Sequence, residues 1–142
     1  CEGNSSIEFS GPYEYIKEIA DIYGRFDCVW AVYDSSNPNV RIALPNKLYE
    51  SVYCGLPLIA ARGTYLGEIV EKLGIGMVVD SNSPESIDSA LALMSERGSR
   101  YLEICDACAR AKEELCDMRA LRALPDTLRA LLADSSDRLP DE

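Results

Sequence analysis

Short apolar segments alternate with amphipathic segments of helical length along most of this chain. The apolar segments are "SSIEFSGP" (5–12), "CVWAVY" (28–33), "LPLIAA" (56–61) and "IGMVV" (75–79). Each has the continuous or alternating apolarity of a β-strand, and apolar residues recur at helical spacing after each one. Strands joined through helices form right-handed crossovers, which produce a parallel sheet covered by helices on both faces. The pattern therefore predicts the α/β class, with a doubly wound, Rossmann-like parallel sheet.

Boundary residues define the predicted helices. The first helix follows Pro12, stops at Gly24 and is predicted to bury a face formed by Tyr15, Ile16, Ile19, Ala20, Ile22 and Tyr23. A loop then leads to Leu44, and Pro45 occupies the first position of a helix that ends at Gly55. That helix is predicted to bury Leu48, Tyr49 and Val52.

Two further local predictions concern a helix start and a strand. Ser83 is expected to cap the helix that Pro84 opens, because a serine followed by a proline suits those two positions. Trp30 and Tyr33, in or just after an apolar segment, are expected to belong to the core rather than to stack on a ligand.

The carboxyl-terminal part is predicted to be helical from Gly98 to Ala133, with a break or kink at Pro125. Residues 134–142 form a polar, acidic tail that is predicted to be mobile. We treat 1–133 as one domain, and its abrupt start at Cys1 suggests a portion of a longer enzyme. A leucine stripe in this part must be covered, and a dimer of the isolated chain is one way to cover it. Its members are Leu121, Leu124, Leu128 and Leu131.

The charge and the cysteines limit the classes of function. The 142 residues carry a formal net charge of −10 without a basic cluster, which excludes nucleic acid as a partner. No apolar run approaches the roughly 18 residues of a membrane-spanning helix. The six cysteines come without a recognisable secretion signal, so a reduced, cytoplasmic location is predicted.

Metal and redox chemistry are not expected. Cys105 and Cys108 form a C-x-x-C inside a predicted helix, with no second pair and no histidine in the chain. Buried thiols that act as small apolar residues are the favoured interpretation. The sequence also has no Asp-x-Asp element, so a metal-dependent alternative architecture is not supported. No metal and no other cofactor is expected.

The segment "ALPNKLYE" (43–50) is the candidate binding site. In open α/β sheets, ligands bind beyond the carboxyl ends of the strands, near helix amino ends. The unpaired N–H groups at the start of the Pro45 helix can hold an anion such as a diphosphate, and Lys47 adds a positive charge. The Glu50 carboxylate can accept hydrogen bonds from two neighbouring ribose hydroxyls. The alternative from spacing alone is that Glu50 is a solvated carboxylate paired with Lys47.

The run "PNKLYESVYCGLPLIA" (45–60) and the following "GTYLGEIVEKLGIGMVVDSNSPESIDSALALM" (63–94) carry a family resemblance. They resemble the carboxyl-terminal, donor-binding domain of GT-B-fold glycosyltransferases (glycosyl transferases group 1), which include many lipopolysaccharide and capsular-polysaccharide enzymes. The resemblance extends upstream through "IEFSGPYEYIKEIADIYGRFDCVWAVYD" (7–34) and so covers most of the chain. Its most specific elements are Pro-Asn-Lys with the glutamate after it, the Gly-x-Pro turn, and the Gly-x-Gly at 74–76.

The resemblance implies roles for individual positions. Family members often carry paired glutamates, and the second, which contacts the ribose, matches Glu50. The first, which contacts the donor sugar, falls at Ile42, an isoleucine that cannot make this contact. The backbone of 43–46 is expected to approach the diphosphate and sugar, and Arg62 is interpreted as a surface-loop residue. The implied donor-binding residues are Gly11, Ala43, Leu44, Pro45, Asn46, Lys47, Glu50, Gly63 and Thr64.

The resemblance also implies a function. The chain is expected to bind a nucleotide sugar, with a UDP-sugar favoured, for transfer to a polysaccharide or lipid-linked acceptor. The acceptor site and any catalytic base are expected on a missing amino-terminal domain, so this chain alone is expected to be inactive. The full-length enzyme is expected in the cytoplasm or at the inner face of the membrane. A sugar-nucleotide epimerase of the same architecture and a non-catalytic α/β binding module are the alternatives.

Overall fold

The computed structural model of the protein describes residues 11–115. Several predictions from the sequence lie outside these residues. They are most of the expected strand at 5–12, the kink at Pro125, the leucine stripe from Leu121 to Leu131, the domain end at 133 and the acidic tail.

Three parallel strands form the sheet of the described residues. They are β1 (Val29–Ala31), β2 (Leu58–Ala61) and β3 (Gly76–Val79), in the order β1-β2-β3. Leu58 at the start of β2 pairs with Val29 on one side and with Gly76 on the other. All three strands were predicted from the sequence, and the Rossmann-like α/β class is confirmed.

Helices lie between and after the strands. Their bounds are α1 (Tyr15–Tyr23), α2 (Pro38–Ile42), α3 (Asn46–Cys54), α4 (Tyr65–Leu73), α5 (Pro84–Glu96) and α6 (Ser99–Leu115). The predicted cap at Ser83 is confirmed, because its side chain accepts a hydrogen bond from the Ser86 N–H at 3.2 Å. The predicted end of α3 at Gly55 is also confirmed.

The core surrounds β2, whose four residues are all buried. Because successive strand residues point to opposite faces, burial of all four means that both faces of the sheet are covered here. α3 contributes Leu48 and Val52 to the core, and α4 contributes Val70. Burying an apolar side chain of this size stabilises the fold by roughly 1.5–3 kcal/mol.

The starts of β2 and β3 form a closely packed end of the sheet, which we call the amino edge. A methyl group at Gly76 would lie 1.8 Å from the Leu58 carbonyl oxygen, so no side chain fits at this position. The Cys108 thiol of α6 is fully buried, with its sulfur 3.5 Å from the Ile75 carbonyl oxygen and 3.6 Å from that of Leu56. The expectation of a buried thiol is confirmed for Cys108, whereas Cys105 is half-buried.

The segment before Leu44 differs from the predicted loop because it contains the short helix α2. Asn37 caps this helix by accepting a hydrogen bond from the Asn39 N–H at 3.0 Å, and Pro38 follows as its first residue. Pro45 is the capping residue of α3 rather than its first helical residue, since its ψ of 153° is extended.

Four aromatic residues that were predicted to be buried are exposed instead, and one of them is Tyr33, which is 37% exposed. Trp30 is 41% exposed. The sequence did not predict this exposure, because continuous apolarity in a strand does not reveal which face of the sheet is covered. The buried face of α3 is formed by Leu48, Ser51 and Val52, and Tyr49 lies outside it. The Ser51 hydroxyl donates a hydrogen bond to the Leu48 carbonyl at 3.0 Å, so this buried polar group has a partner. On α1, Tyr23 of the predicted buried face is buried, whereas Ala20 is exposed and Tyr15 is 48% exposed.

Candidate functional site

A cleft lies between α2 and α4 beyond the carboxyl ends of the strands, at the end of the sheet that we call the carboxyl edge. Its volume is about 610 Å³, which falls within the range of small-molecule sites. The α2–α4 cleft is lined by Pro38, Arg41, Ile42, Gly63, Tyr65 and Glu68.

A small pocket of about 170 Å³ adjoins this cleft. It is lined by Tyr33, Val40, Ala43, Pro45, Thr64 and Leu66. Ala43 and Pro45 come from the connection between α2 and α3, whereas Thr64 comes from the connection between β2 and α4. The structure thus brings together three of the predicted donor-binding residues, and a fourth, Gly63, lines the cleft beside them.

The turn at Gly63 and Thr64 fixes the wall between the cleft and the small pocket. Gly63 has a φ of +75°, which L side chains rarely adopt. The buried Thr64 hydroxyl donates to the Ala61 carbonyl at 2.7 Å and accepts from the Gly67 N–H at 3.0 Å. Because one hydroxyl joins the end of β2 to the first turn of α4, this wall is rigidly attached to the sheet.

The cleft carries one cationic and one anionic side chain. Arg41 lies in the last turn of α2, is exposed, and forms no ion pair within the described residues. Glu68 lies in the first turn of α4, where the helix dipole favours a carboxylate. Arg41 was not predicted as a site residue from the sequence, because the segment that forms α2 was expected to be a loop. The Asn-Pro pair at 37–38, a capping residue followed by a first-turn proline, was the signal for that helix.

Lys47 lies against β1 rather than in the cleft. Its ammonium donates a hydrogen bond to the Trp30 carbonyl at 3.0 Å and lies 5.6 Å from the centre of the Tyr33 ring. A cation at this distance from an aromatic face is attracted to it. Lys47 therefore lines neither the cleft nor the small pocket, but a separate depression that includes Tyr23 and Trp30.

The Glu50 carboxylate accepts hydrogen bonds from two tyrosine hydroxyls of α1. One oxygen accepts from Tyr15 and the other from Tyr23, the latter at 2.5 Å. The hydrogen bond to Glu50 raises the pKa of Tyr15, and burial together with the same acceptor raises the pKa of Tyr23. From the sequence, both tyrosines were predicted only as members of an apolar face, because Glu50 is distant from them along the chain.

The other predicted site residues lie around these features. Gly11 has a left-handed φ of +76°, at the start of the described residues. Leu44 and Asn46 are exposed on the connection into α3. Neither they nor Gly11 lines the cleft or the small pocket. Their role in donor binding, like that of Lys47 and Glu50, stays a prediction.

Residues 11–115 contain no candidate metal site and no candidate membrane span. No group of three or more histidine, cysteine or acidic side chains there is arranged to hold a metal ion. No helix in that part of the chain has the length and apolarity needed to cross a bilayer.

Comparison with known proteins gives one informative similarity. The chain is 31% identical over 86 residues to the succinoglycan biosynthesis protein ExoL of Rhizobium meliloti (strain 1021). The aligned part covers 60% of this chain and 21% of that protein, so the chain spans about a fifth of the relative's length. No protein-family model matches the chain. No solved structure gives a significant match.

Proposed function

We propose that this chain is the nucleotide-sugar-binding part of a glycosyltransferase that acts in polysaccharide biosynthesis. The observation that carries this proposal is the meeting of Ala43, Pro45 and Thr64 in one pocket at the carboxyl edge, beside a cleft of suitable volume. Parallel α/β sheets bind their ligands in this position. The similarity to a succinoglycan biosynthesis protein supports a role in making a glycan.

The diphosphate of the donor is assigned to the amino end of α3 and to Arg41. The first N–H groups of a helix have no partner within the helix and attract anions. A guanidinium can bind a phosphate through two parallel hydrogen bonds, and Arg41 forms no ion pair within residues 11–115 that would compete. As the glycosidic bond breaks, these donors would stabilise the negative charge that develops on the leaving diphosphate.

The sugar is assigned to the rest of the α2–α4 cleft. Glu68 offers a carboxylate that can accept hydrogen bonds from sugar hydroxyls, and Tyr65 offers an aromatic side chain at the same wall. Ile42, at the end of α2, is 75% exposed and contributes an apolar surface. The acceptor and any catalytic base are assigned to a part of the enzyme beyond this chain.

Calorimetric titration of the 142-residue chain with UDP, GDP and inorganic pyrophosphate tests the proposal. We expect one nucleotide to bind more tightly than pyrophosphate, because base and ribose add contacts. Arg41→Ala should weaken nucleotide binding about tenfold, the value of one charge-assisted hydrogen-bonded contact. Arg110→Ala, which removes an exposed arginine of α6 and changes the net charge equally, is the matched control.

Two results of this titration would count against the proposal. If neither nucleotide binds more tightly than pyrophosphate, the site does not recognise a nucleoside diphosphate. If Arg41→Ala and Arg110→Ala weaken binding equally, the effect comes from net charge and the cleft is not the binding site.

A further inference from the structure

Two phenol hydroxyls of one helix converge on a single carboxylate of another. Tyr15 stands at the start of α1 and Tyr23 at its end, and their hydroxyls reach different oxygens of Glu50 on α3. Each carboxylate oxygen therefore has its own donor. Such an arrangement restricts rotation of the carboxylate about its last bond, because turning it would break both hydrogen bonds at once.

The donors around Glu50 are neutral. No lysine or arginine of the described residues forms an ion pair with this carboxylate. A salt bridge would neutralise the charge, whereas phenol hydroxyls orient the carboxylate and leave its negative charge in place. An ionised carboxylate has about four lone-pair directions, so two remain after the tyrosines have donated.

The two tyrosines differ in their exposure to water. Tyr23 is 8% exposed and Tyr15 is 48% exposed. Because water competes with an exposed hydrogen bond, the hydroxyl of Tyr23 should hold the carboxylate more firmly than that of Tyr15.

We propose that Tyr15 and Tyr23 are positioning residues, which aim the two remaining acceptor directions of Glu50 at a pair of neighbouring hydroxyls such as the ribose diol. This inference rests on the proposed function, in which the chain binds a nucleoside diphosphate. It adds α1 to the donor site and assigns a preference for ribose over deoxyribose to a cluster of three side chains. If these hydrogen bonds only held α1 against α3, their loss would lower the stability of the fold and leave the preference for ribose unchanged.

The test compares the binding of UDP and 2′-deoxy-UDP, whose ratio of affinities measures recognition of the diol. The wild-type chain should prefer UDP, and Glu50→Gln should abolish that preference. Tyr23→Phe should reduce the preference about tenfold and Tyr15→Phe about threefold, in line with the loss of a hydrogen bond to a charged group at a buried and at an exposed position.

Two phenylalanine variants serve as controls. Tyr53→Phe removes an exposed hydroxyl on α3 and keeps the ring, whose centre lies 4.1 Å from the Lys112 ammonium. Tyr101→Phe removes a structural hydrogen bond, which the hydroxyl donates to the Asp27 carbonyl at 3.1 Å. Both should leave the preference for ribose unchanged, and Tyr101→Phe should lower only the stability of the fold.

The outcomes separate the two proposals. If Glu50→Gln abolishes the preference and both tyrosine variants leave it unchanged, the positioning role is wrong and the proposed function stands. If the wild-type chain binds no nucleotide, both proposals fail. If it binds UDP and 2′-deoxy-UDP equally well, the positioning role is wrong and the proposed function stands. Should Tyr23→Phe fail to fold, Tyr15→Phe at its exposed position decides the question by itself.

Discussion

The two edges of the sheet are built in opposite ways. At the amino edge, Gly76 lies directly against Leu58 and α6 seals the space with the buried Cys108 thiol. At the carboxyl edge, connecting segments stand apart and leave the α2–α4 cleft and the small pocket open. Thr64, in the wall between the cleft and the small pocket, is buried, and its hydroxyl forms hydrogen bonds with the nearby backbone of Ala61 and Gly67. The comparison indicates that the amino edge provides stability, and it supports our proposal that ligands bind at the carboxyl edge.

The largest expected effect is at the amino edge. Gly76→Ala would place a methyl group 1.8 Å from a backbone oxygen, and backbone cannot move aside as a flexible side chain can. We expect the free energy of unfolding to fall by more than about 3 kcal/mol, measured by urea denaturation. Gly98→Ala is the control, since a methyl group there meets nothing within 4 Å. Equal stability of the two variants would contradict the close packing of the amino edge.

The second prediction concerns the dependence of stability on pH at the same edge. Burial raises the pKa of the Cys108 thiol from 9.0 to about 12. Above pH 9.0 the unfolded chain loses this proton before the folded one does, so the contribution of the thiol to stability falls as pH rises towards 12.

Cys108→Ala should remove this contribution. Its free energy of unfolding should decline less steeply above pH 9.0 than that of the wild type, by up to about 1.4 kcal/mol per pH unit. Urea denaturation below and above this pH, under reducing conditions, measures the difference. Parallel declines in the two proteins would show that the thiol is not sealed from water.

The smallest expected effect on stability is at the carboxyl edge. Thr64→Ala removes the cap of α4 and should lower the free energy of unfolding by about 1 kcal/mol. It should also weaken nucleotide binding severalfold, because the wall of the small pocket loses its attachment. Thr64→Ser, which keeps the hydroxyl, should restore both properties.

A helix cap outside the small pocket tests whether the loss of nucleotide binding in Thr64→Ala is a local effect. Ser83→Ala removes the corresponding hydrogen bond at α5 and should cost similar stability, about 1 kcal/mol, without any effect on nucleotide binding. If Ser83→Ala weakens binding as much as Thr64→Ala does, affinity depends on general stability and the two edges are not functionally distinct.

The parts of the fold that sequence predicted are those with a local signal. Apolar runs located the strands, and Ser83 and Gly55 marked a helix start and a helix end. The helix α2 was missed because it has no buried residue, so no apolar periodicity reveals it. Trp30 was misplaced because a short apolar strand does not show which of its faces is covered.

The candidate site was predictable to a similar extent. Ala43, Pro45 and Thr64 follow from the position of strand ends and helix starts, which the order of the elements supplies. The hydrogen bonds of Glu50 could not be predicted, because Tyr15 and Tyr23 lie 35 and 27 residues away along the chain. Such pairings depend on how α1 packs against α3, and no local pattern encodes that packing.

A map of backbone amide NMR shifts during titration with UDP tests whether nucleotides bind at the carboxyl edge. We expect the largest shifts at the carboxyl edge, at Ala43, Gly63 and Thr64, and no significant shift at Gly76 or Cys108. Shifts that cluster at the amino edge, or a spectrum unchanged at high UDP concentration, would contradict the assignment of nucleotide binding to the carboxyl edge.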